Sequence, residues 1–125
     1  MTLARIVQRQ AESRPQSVAV RFGPLAVTYD EFARTIDGVA TRLASEGVAP
    51  GVSVSMHVKS LYWNWVFLLA GMRAGAITIT ASRPIATVIA TLGTVDFVIT
   101  TDDVRESAAG RAKQIVASAD WLDAA

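Results

Sequence analysis

The chain has 125 residues, which favours a single domain spanning residues 1–125, and 51% of them are hydrophobic, enough for a packed core. Its 12 basic and 11 acidic residues give a net charge of +1 without a Lys/Arg cluster, so nucleic-acid binding is not expected. The absence of cysteine excludes disulfides, thiolate metal sites and a cysteine nucleophile, and is consistent with a cytoplasmic location.

The first part of the chain predicts a helix and then a β-hairpin. The helix ends before Pro15, and its apolar face carries Leu3, Ile6 and Val7. Two β-rich runs follow at residues 18–22 and 25–27, and the turn pair Gly23-Pro24 separates them. This pattern is typical of a hairpin.

A second helix begins at a capping box formed by Thr28 and Glu31. Gly47 is placed to end it, because glycine readily adopts the left-handed conformation of a helix C-terminus. The turn Val48–Gly51 follows. The apolar face of this helix consists of Phe32, Ile36, Val39, Ala40 and Leu43.

Residues 52–58 alternate between apolar and polar side chains and predict a strand. Ser60 is placed to cap a third helix, Leu61 to about Arg73, which is apolar around most of its circumference and should be covered on several sides. This apolar stretch is too short for a bilayer, so no membrane span is expected.

The rest of the chain predicts two more strands, residues 76–80 and 95–100, with a helix between them that begins near Pro84. A last helix is expected over about residues 104–117, and the alanine-rich end, residues 118–125, is expected to fray unless Trp121 and Leu122 anchor it. The alternation of strands and helices predicts an α/β fold, with a small parallel sheet flanked by helices and an N-terminal β-hairpin.

Four segments carry a family resemblance through their order and spacing. They are Thr-Tyr-Asp-Glu-Phe at 28–32, the turn at 47–51, Ala-Gly-Met-Arg-Ala-Gly-Ala at 70–76, and the strand from Val95 to Asp102. Together they resemble the beginning of the adenylate-forming (AMP-binding) acyl-CoA synthetases and ligases, over roughly residues 6–103. The resemblance implies a scaffold fragment of an enzyme of fatty acid metabolism.

For the full-length family, the resemblance implies ATP, Mg and CoA as cofactors. A Ser/Thr/Gly-rich loop ending in lysine grips the triphosphate in that family, and no such loop occurs here, where the lysines are Lys59 and Lys113. The catalytic C-terminal domain of the family is also missing. The chain alone is therefore expected to bind none of these cofactors and to have no catalytic residue, which leaves its standing as an enzyme open.

One cofactor contact is suggested by the resemblance. Relatives often carry Asn-Pro-Arg after the second strand of the sheet, and this chain has Ser82-Arg83-Pro84. In some members that arginine lies near the phosphates of CoA, so Arg83 is a candidate phosphate contact although it is one position out of register. A solvated loop arginine is the favoured alternative.

His57 is the sole histidine, near the carboxyl end of a predicted strand, where α/β folds tend to place ligands. A general base or metal ligand would need partners, so a hydrogen-bonded or hydrated strand-end histidine is favoured. A triad can be written from Ser55, His57 and Asp96, but no nucleophile elbow supports it. Asp102 and Asp103 form a carboxylate pair that helix capping explains better.

Trp63, Trp65 and Phe67 could line an acyl pocket, although core packing is favoured. The high hydrophobic content motivates an alternative function, a stand-alone interaction or dimerisation module. The expected partner is accordingly the remainder of the ligase, or a homo-oligomer that covers apolar surface. A small Rossmann-like nucleotide-binding domain is disfavoured because no Gly-x-Gly-x-x-Gly follows a strand.

Overall fold

The structure is a computed structural model that describes residues 3–80, 95–101, 113–118 and 121. Three helices and six strands occur within these residues. In chain order they are α1 (Leu3–Ser13), β1 (Val18–Phe22), β2 (Leu25–Thr28), α2 (Tyr29–Ser45), β3 (Ser53–His57), α3 (Leu61–Arg73), β4 (Ile77–Thr80), β5 (Phe97–Thr101) and β6 (Lys113–Ala117).

The strands form two sheets, as the sequence predicts for an α/β fold with an N-terminal hairpin. Strands β1 and β2 pair antiparallel, and the other four form a parallel sheet in the order β4-β3-β5-β6. Val54 of β3 stands opposite Thr78 of β4 on one side and Phe97 of β5 on the other. The central position of β3 places the predicted Ser/His strand inside the sheet.

The N-caps predicted at Thr28 and Ser60 are confirmed. The Thr28 side chain accepts a hydrogen bond from the Glu31 N–H at 3.2 Å, and the Ser60 hydroxyl accepts from the Trp63 N–H at 3.3 Å. Gly47 ends α2 with a φ of 104°. The N–H of the following Val48 bonds to the Leu43 carbonyl, which closes the C-terminal turn of the helix.

The main core lies between the helices and one face of the parallel sheet. Val39 and Leu43 of α2, Phe67 of α3 and Val54 and Ile99 of the sheet are all at most 1% exposed. Each such side chain stabilises the fold by about 1.5–3 kcal/mol relative to an exposed position. The apolar positions predicted for α2 are therefore the ones that join the helix layer to the sheet.

The other face of the central strands is buried as well. Ser55 and Val98 are 0% exposed, and Thr100 and His57 are nearly as inaccessible. Strands of a parallel sheet are usually covered on both faces, which explains why the polar positions of β3 are as buried as its apolar ones.

Residues 113–117 correct the sequence-based prediction. They form strand β6, parallel to β5, whereas the sequence analysis placed them at the end of a helix over residues 104–117. The alanines and charges before them favour a helix, but Ile115 and Val116 are β-branched and suit a strand. Pairing with β5 buries Ile115 and Ala117 and leaves Val116 exposed, which is the two-residue period of a strand.

Several expectations lie outside the described residues: the helix near Pro84, the aspartates at 102 and 103, and the helix from 104 up to 112. At the end of the chain, Trp121 is described and buried. Its ring packs 6.3 Å from that of Phe67, and the Arg42 guanidinium stands 5.2 Å above it. None of the helices in the described ranges is both long enough and apolar enough to cross a membrane.

Candidate functional site

Two polar side chains meet near the carboxyl edge of the parallel sheet. His57 is the last residue of β3, and Ser55 lies two residues earlier on the same face of the strand. Ser55 Oγ and His57 Nε2 are hydrogen-bonded at 2.7 Å. This contact agrees with the interpretation of His57 as a hydrogen-bonded strand-end histidine.

The third member of the conceivable triad lies elsewhere. Asp96 Oδ2 accepts hydrogen bonds from the Ser53 N–H at 2.9 Å and from the Ser53 hydroxyl at 3.2 Å. Ser53 begins β3 and His57 ends it, so about 13 Å of strand separates the two ends. The structure therefore brings Ser55 and His57 together without Asp96, and these three residues do not form a triad.

The Ser55–His57 pair does not form an accessible reaction centre. Ser55 is 0% exposed and His57 is 6% exposed, so a substrate has no access to the hydroxyl in this arrangement. Among the described residues, no group of three or more His, Cys, Asp or Glu side chains could hold a metal ion. The pair is best understood as a buried hydrogen bond that satisfies two polar groups inside the sheet.

The aromatic residues of α3 divide between the core and the surface. Phe67 is fully buried, and Trp63 packs edge-on against it with the ring centroids 6.0 Å apart. Trp65 instead remains 43% exposed. Core packing therefore describes Phe67 and Trp63, whereas Trp65 belongs to a surface feature that the sequence analysis did not locate.

That feature is a cavity of 470 Å³ between α1, β1, the start of α2 and α3, which we call the α1–α3 groove. Its walls are mainly apolar and aromatic. The lining residues are Leu3, Ile6, Val7, Gln10, Ala19, Val20, Arg21, Phe22, Tyr29, Phe32, Leu61, Tyr62, Trp65 and Leu69.

Tyr62 is one of the aromatic residues that line the groove. Its ring stacks on Phe22 with the centroids 4.7 Å apart. Burial raises the pKa of the Tyr62 hydroxyl above its ordinary value, the hydrogen bond with Thr35 lowers it, and the nearby Glu31 carboxylate raises it. The net shift of the pKa is upward, so the hydroxyl stays protonated to a higher pH than that of an ordinary tyrosine.

The segment Ala70–Ala76 owes its glycines to close packing and to a turn. A Cβ at Gly71 would stand 2.5 Å from Cγ2 of Thr78, so only glycine lets α3 approach β4 this closely. Gly75 adopts a φ of 81° after the helix ends. The features that carry the family resemblance here are thus parts of the scaffold.

The candidate phosphate contact, Arg83, lies outside the described residues. The described part of the chain consequently shows a scaffold, a buried Ser/His pair and an open apolar groove.

Residues 7–115 match the family model described as AMP-binding enzyme. Nonribosomal peptide synthetase SIDD of Beauveria bassiana is 39% identical over 71 residues, which cover 57% of this chain and 4% of that protein. D-lysergyl-peptide-synthetase subunit 1 of Epichloe festucae var. lolii is 31% identical over 113 residues, which cover 87% of this chain and 3% of that protein.

Solved structures show the same fold. The artificially fused adenylation–PCP di-domain NpsA-ThdA of Klebsiella oxytoca aligns with a TM-score of 0.80 at 24% identity, over 90% of this chain and 22% of that one. The N-terminal subdomain of NpsA in complex with 3-hydroxybenzoyl-AMSN aligns with a TM-score of 0.79 at 24% identity, over 91% of this chain and 29% of that one. The chain thus spans less than a third of each of these proteins.

Proposed function

The chain belongs to the AMP-binding enzyme family, and from this membership we propose that it is an N-terminal scaffold segment of a peptide-synthetase adenylation domain. The observation that carries the proposal is the family match over residues 7–115, together with relatives that are nonribosomal peptide synthetases. The sequence resemblance suggested acyl-CoA synthetases of fatty acid metabolism. The relatives named above favour peptide synthesis instead.

We propose that the scaffold does not activate acids by itself. The sequence has no Ser/Thr/Gly-rich loop ending in lysine. Of its two lysines, Lys113 is engaged with the end of α2, where Nζ lies 3.2 Å from the Glu46 carboxylate and 2.9 Å from the Glu46 carbonyl. ATP and Mg would be held by residues from the rest of the domain.

A carrier-bound thiol is the proposed acceptor of the activated acid, in preference to CoA. This choice follows the adenylation–PCP di-domain among the structural neighbours. Arg83 remains a proposed contact for a phosphate group of that acceptor. A cytoplasmic location remains part of the proposal, because the chain has no cysteine to suggest an oxidising compartment.

ATP–pyrophosphate exchange tests the proposal. The pure chain is incubated with a panel of amino acids and aryl acids, and a complete adenylation domain such as NpsA serves as the positive control. We expect no exchange above the protein-free background. Robust exchange by the pure chain would overturn the scaffold assignment.

The reading frame after Ala125 provides a second test. A continuation that encodes a Ser/Thr/Gly-rich loop ending in lysine supports the assignment to an adenylation domain. A stop codon with no such loop encoded nearby would favour the second candidate function described next.

That second candidate is a stand-alone interaction module, and one observation favours it. Leu3, Ile6, Leu61 and Trp65 on the α1–α3 groove are between 40% and 69% exposed. Sedimentation at low micromolar concentration separates the alternatives, because a dimerisation module forms a stable dimer. A monomer that retains no partner in a pull-down would count against this candidate.

A further inference from the structure

We propose that the α1–α3 groove binds an amphipathic helix whose apolar stripe is flanked by acidic residues, and that this helix comes from the remaining part of the adenylation domain. The assignment of the helix to that domain rests on the proposed function. The predicted chemistry of the occupant does not depend on the proposed function, because it follows from the side chains in and around the groove.

The groove has a buried floor and an open rim. Val7, Phe32 and Leu69 on the floor are less than 9% exposed, whereas Leu61 and Trp65 on the rim are 69% and 43% exposed. A small-molecule site normally encloses most of its ligand. A groove whose rim remains this accessible suits a longer occupant that also covers the rim.

The dimensions of the groove match a short helix. One wall is α1, whose 11 residues extend for about 16 Å, or three turns. A helix bound in a groove uses apolar anchors at i, i+3 or i+4, and i+7, which span about two turns. The exposed Leu3 and Ile6, one turn apart on α1, would pack beside such anchors.

Positive charge near the groove favours acidic residues beside the apolar stripe of the bound helix. Arg21 lines the groove, and Arg9 follows Ile6 by three residues, which makes Arg9 and Ile6 neighbours on the surface of α1. Within the described residues, neither arginine forms an ion pair. Glu31 lies near Tyr62 at the α2 end, so the acidic flank of the occupant should face α1 and β1.

A second copy of the chain fits the groove less well than an acidic helix does. A two-fold dimer through this surface would place four arginines in one interface, Arg9 and Arg21 from each copy, because a two-fold interface uses the same patch twice. Like charges at such an interface are destabilising. The remaining adenylation domain is also ample in size, since the chain aligns with only 29% of the NpsA N-terminal subdomain.

Two synthetic peptides test the chemistry. Both are about five turns of helix long with leucines at i, i+3, i+4 and i+7, and they carry either glutamates or lysines beside the stripe. Binding is measured by anisotropy of the labelled peptide and by the intrinsic fluorescence of the chain, whose three tryptophans include Trp65 on the groove. We expect the glutamate peptide to bind about tenfold more tightly than the lysine peptide. Equal affinity, or no binding of either peptide, would overturn the proposal.

Variants of the chain locate the binding surface. Arg21→Glu should weaken binding of the glutamate peptide and strengthen binding of the lysine peptide. A folding defect cannot produce this reversal. Ile6→Glu should abolish binding of the glutamate peptide. Ile77→Glu is its matched control, because Ile77 is 59% exposed on β4 and does not line the groove. Equal losses in both isoleucine variants would show that the groove is not the site.

The source of the helix is tested with the polypeptide encoded directly after Ala125, co-expressed with the chain as a separate protein. We expect it to co-purify with the wild type and with Ile77→Glu, but not with Ile6→Glu. If the glutamate peptide binds and the downstream frame encodes no adenylation domain, the groove chemistry stands while the proposed function and the assigned source fail. If the chain and the downstream polypeptide together catalyse ATP–pyrophosphate exchange, and the Ile6→Glu variant still co-purifies with that polypeptide, the groove proposal fails while the proposed function stands.

Discussion

Gly71 of α3 lies against the methyl group of Thr78 in β4, so closely that a Cβ at position 71 would stand 2.5 Å from Thr78 Cγ2. The contact sets the distance between a buried helix and the edge strand of the parallel sheet. The two backbones cannot separate easily, because α3 is also held on α2 and β4 is paired with β3, and the β-branched side chain of Thr78 has a restricted χ1.

Gly71→Ala should therefore destabilise the fold by about 1–3 kcal/mol, the usual cost of overpacking a core. The matched control is Gly38→Ala in α2, where nothing lies within 4 Å of an added Cβ. That variant should stabilise by about 0.5–1 kcal/mol, because alanine is the better helix former. Urea denaturation measures both, and a neutral Gly71→Ala would contradict the close packing.

Gly75→Ala should cost more than Gly51→Ala. Both glycines have positive φ angles, 81° and 88°, so alanine is strained at either position by about 1–2 kcal/mol. At Gly75 the added Cβ would also approach Pro50 to 3.2 Å, whereas at Gly51 nothing lies within 4 Å. Equal losses of unfolding free energy in the two variants would show that the Pro50 contact relaxes without cost.

Ser55→Ala should destabilise by about 1–3 kcal/mol, because His57 Nε2 loses its 2.7 Å hydrogen bond inside the sheet. Ser45→Ala is the control, since Ser45 is exposed at the end of α2 and its hydroxyl donates to the Arg42 carbonyl. A surface change of this kind is expected to stay within about 0.5 kcal/mol. Similar effects in both variants would argue against an energetic role for the buried pair.

We expect the free energy of unfolding to decrease at alkaline pH because of Tyr62. Burial raises its pKa in the folded state, so its contribution is fully present below the ordinary tyrosine value of about 10 and is lost as pH rises through the higher folded pKa. Above the ordinary tyrosine pKa, the unfolding free energy of the Tyr62→Phe variant should fall less steeply with pH than that of the wild type. Identical alkaline limbs for the wild type and the variant would contradict the shift.

Spectroscopic titration gives an independent measurement of the same group. The chain has two tyrosines, Tyr29 and Tyr62. In Tyr29→Phe the tyrosinate absorbance reports Tyr62 alone, and its midpoint should lie above the model-peptide value. Unfolding in denaturant should return the midpoint to that value.

Local signals made much of the fold predictable from the sequence. Thr28 and Ser60 begin helices because their side chains accept hydrogen bonds from N–H groups three residues later, and that chemistry depends only on neighbouring residues. Gly47 ends α2 for an equally local reason. The order of strands and helices then indicated the parallel sheet.

Features that depend on distant residues were missed. Residues 113–117 become strand β6 because β5 offers a free edge beside them, a pairing that no local pattern encodes. The α1–α3 groove is lined by residues of α1, β1, α2 and α3, so its position depends on the tertiary arrangement. The sequence indicated surplus apolar surface, and only the fold shows that Trp65 contributes to it.

The sheet order has a consequence for the path of folding. Ser53 and Asp96 are hydrogen-bonded across 43 positions of the chain, so β3 remains without its β5 neighbour until a long loop has closed. The hairpin and the first two helices need no such closure. During synthesis they can assemble early, while the half-paired β3 waits for its second neighbour to emerge from the ribosome.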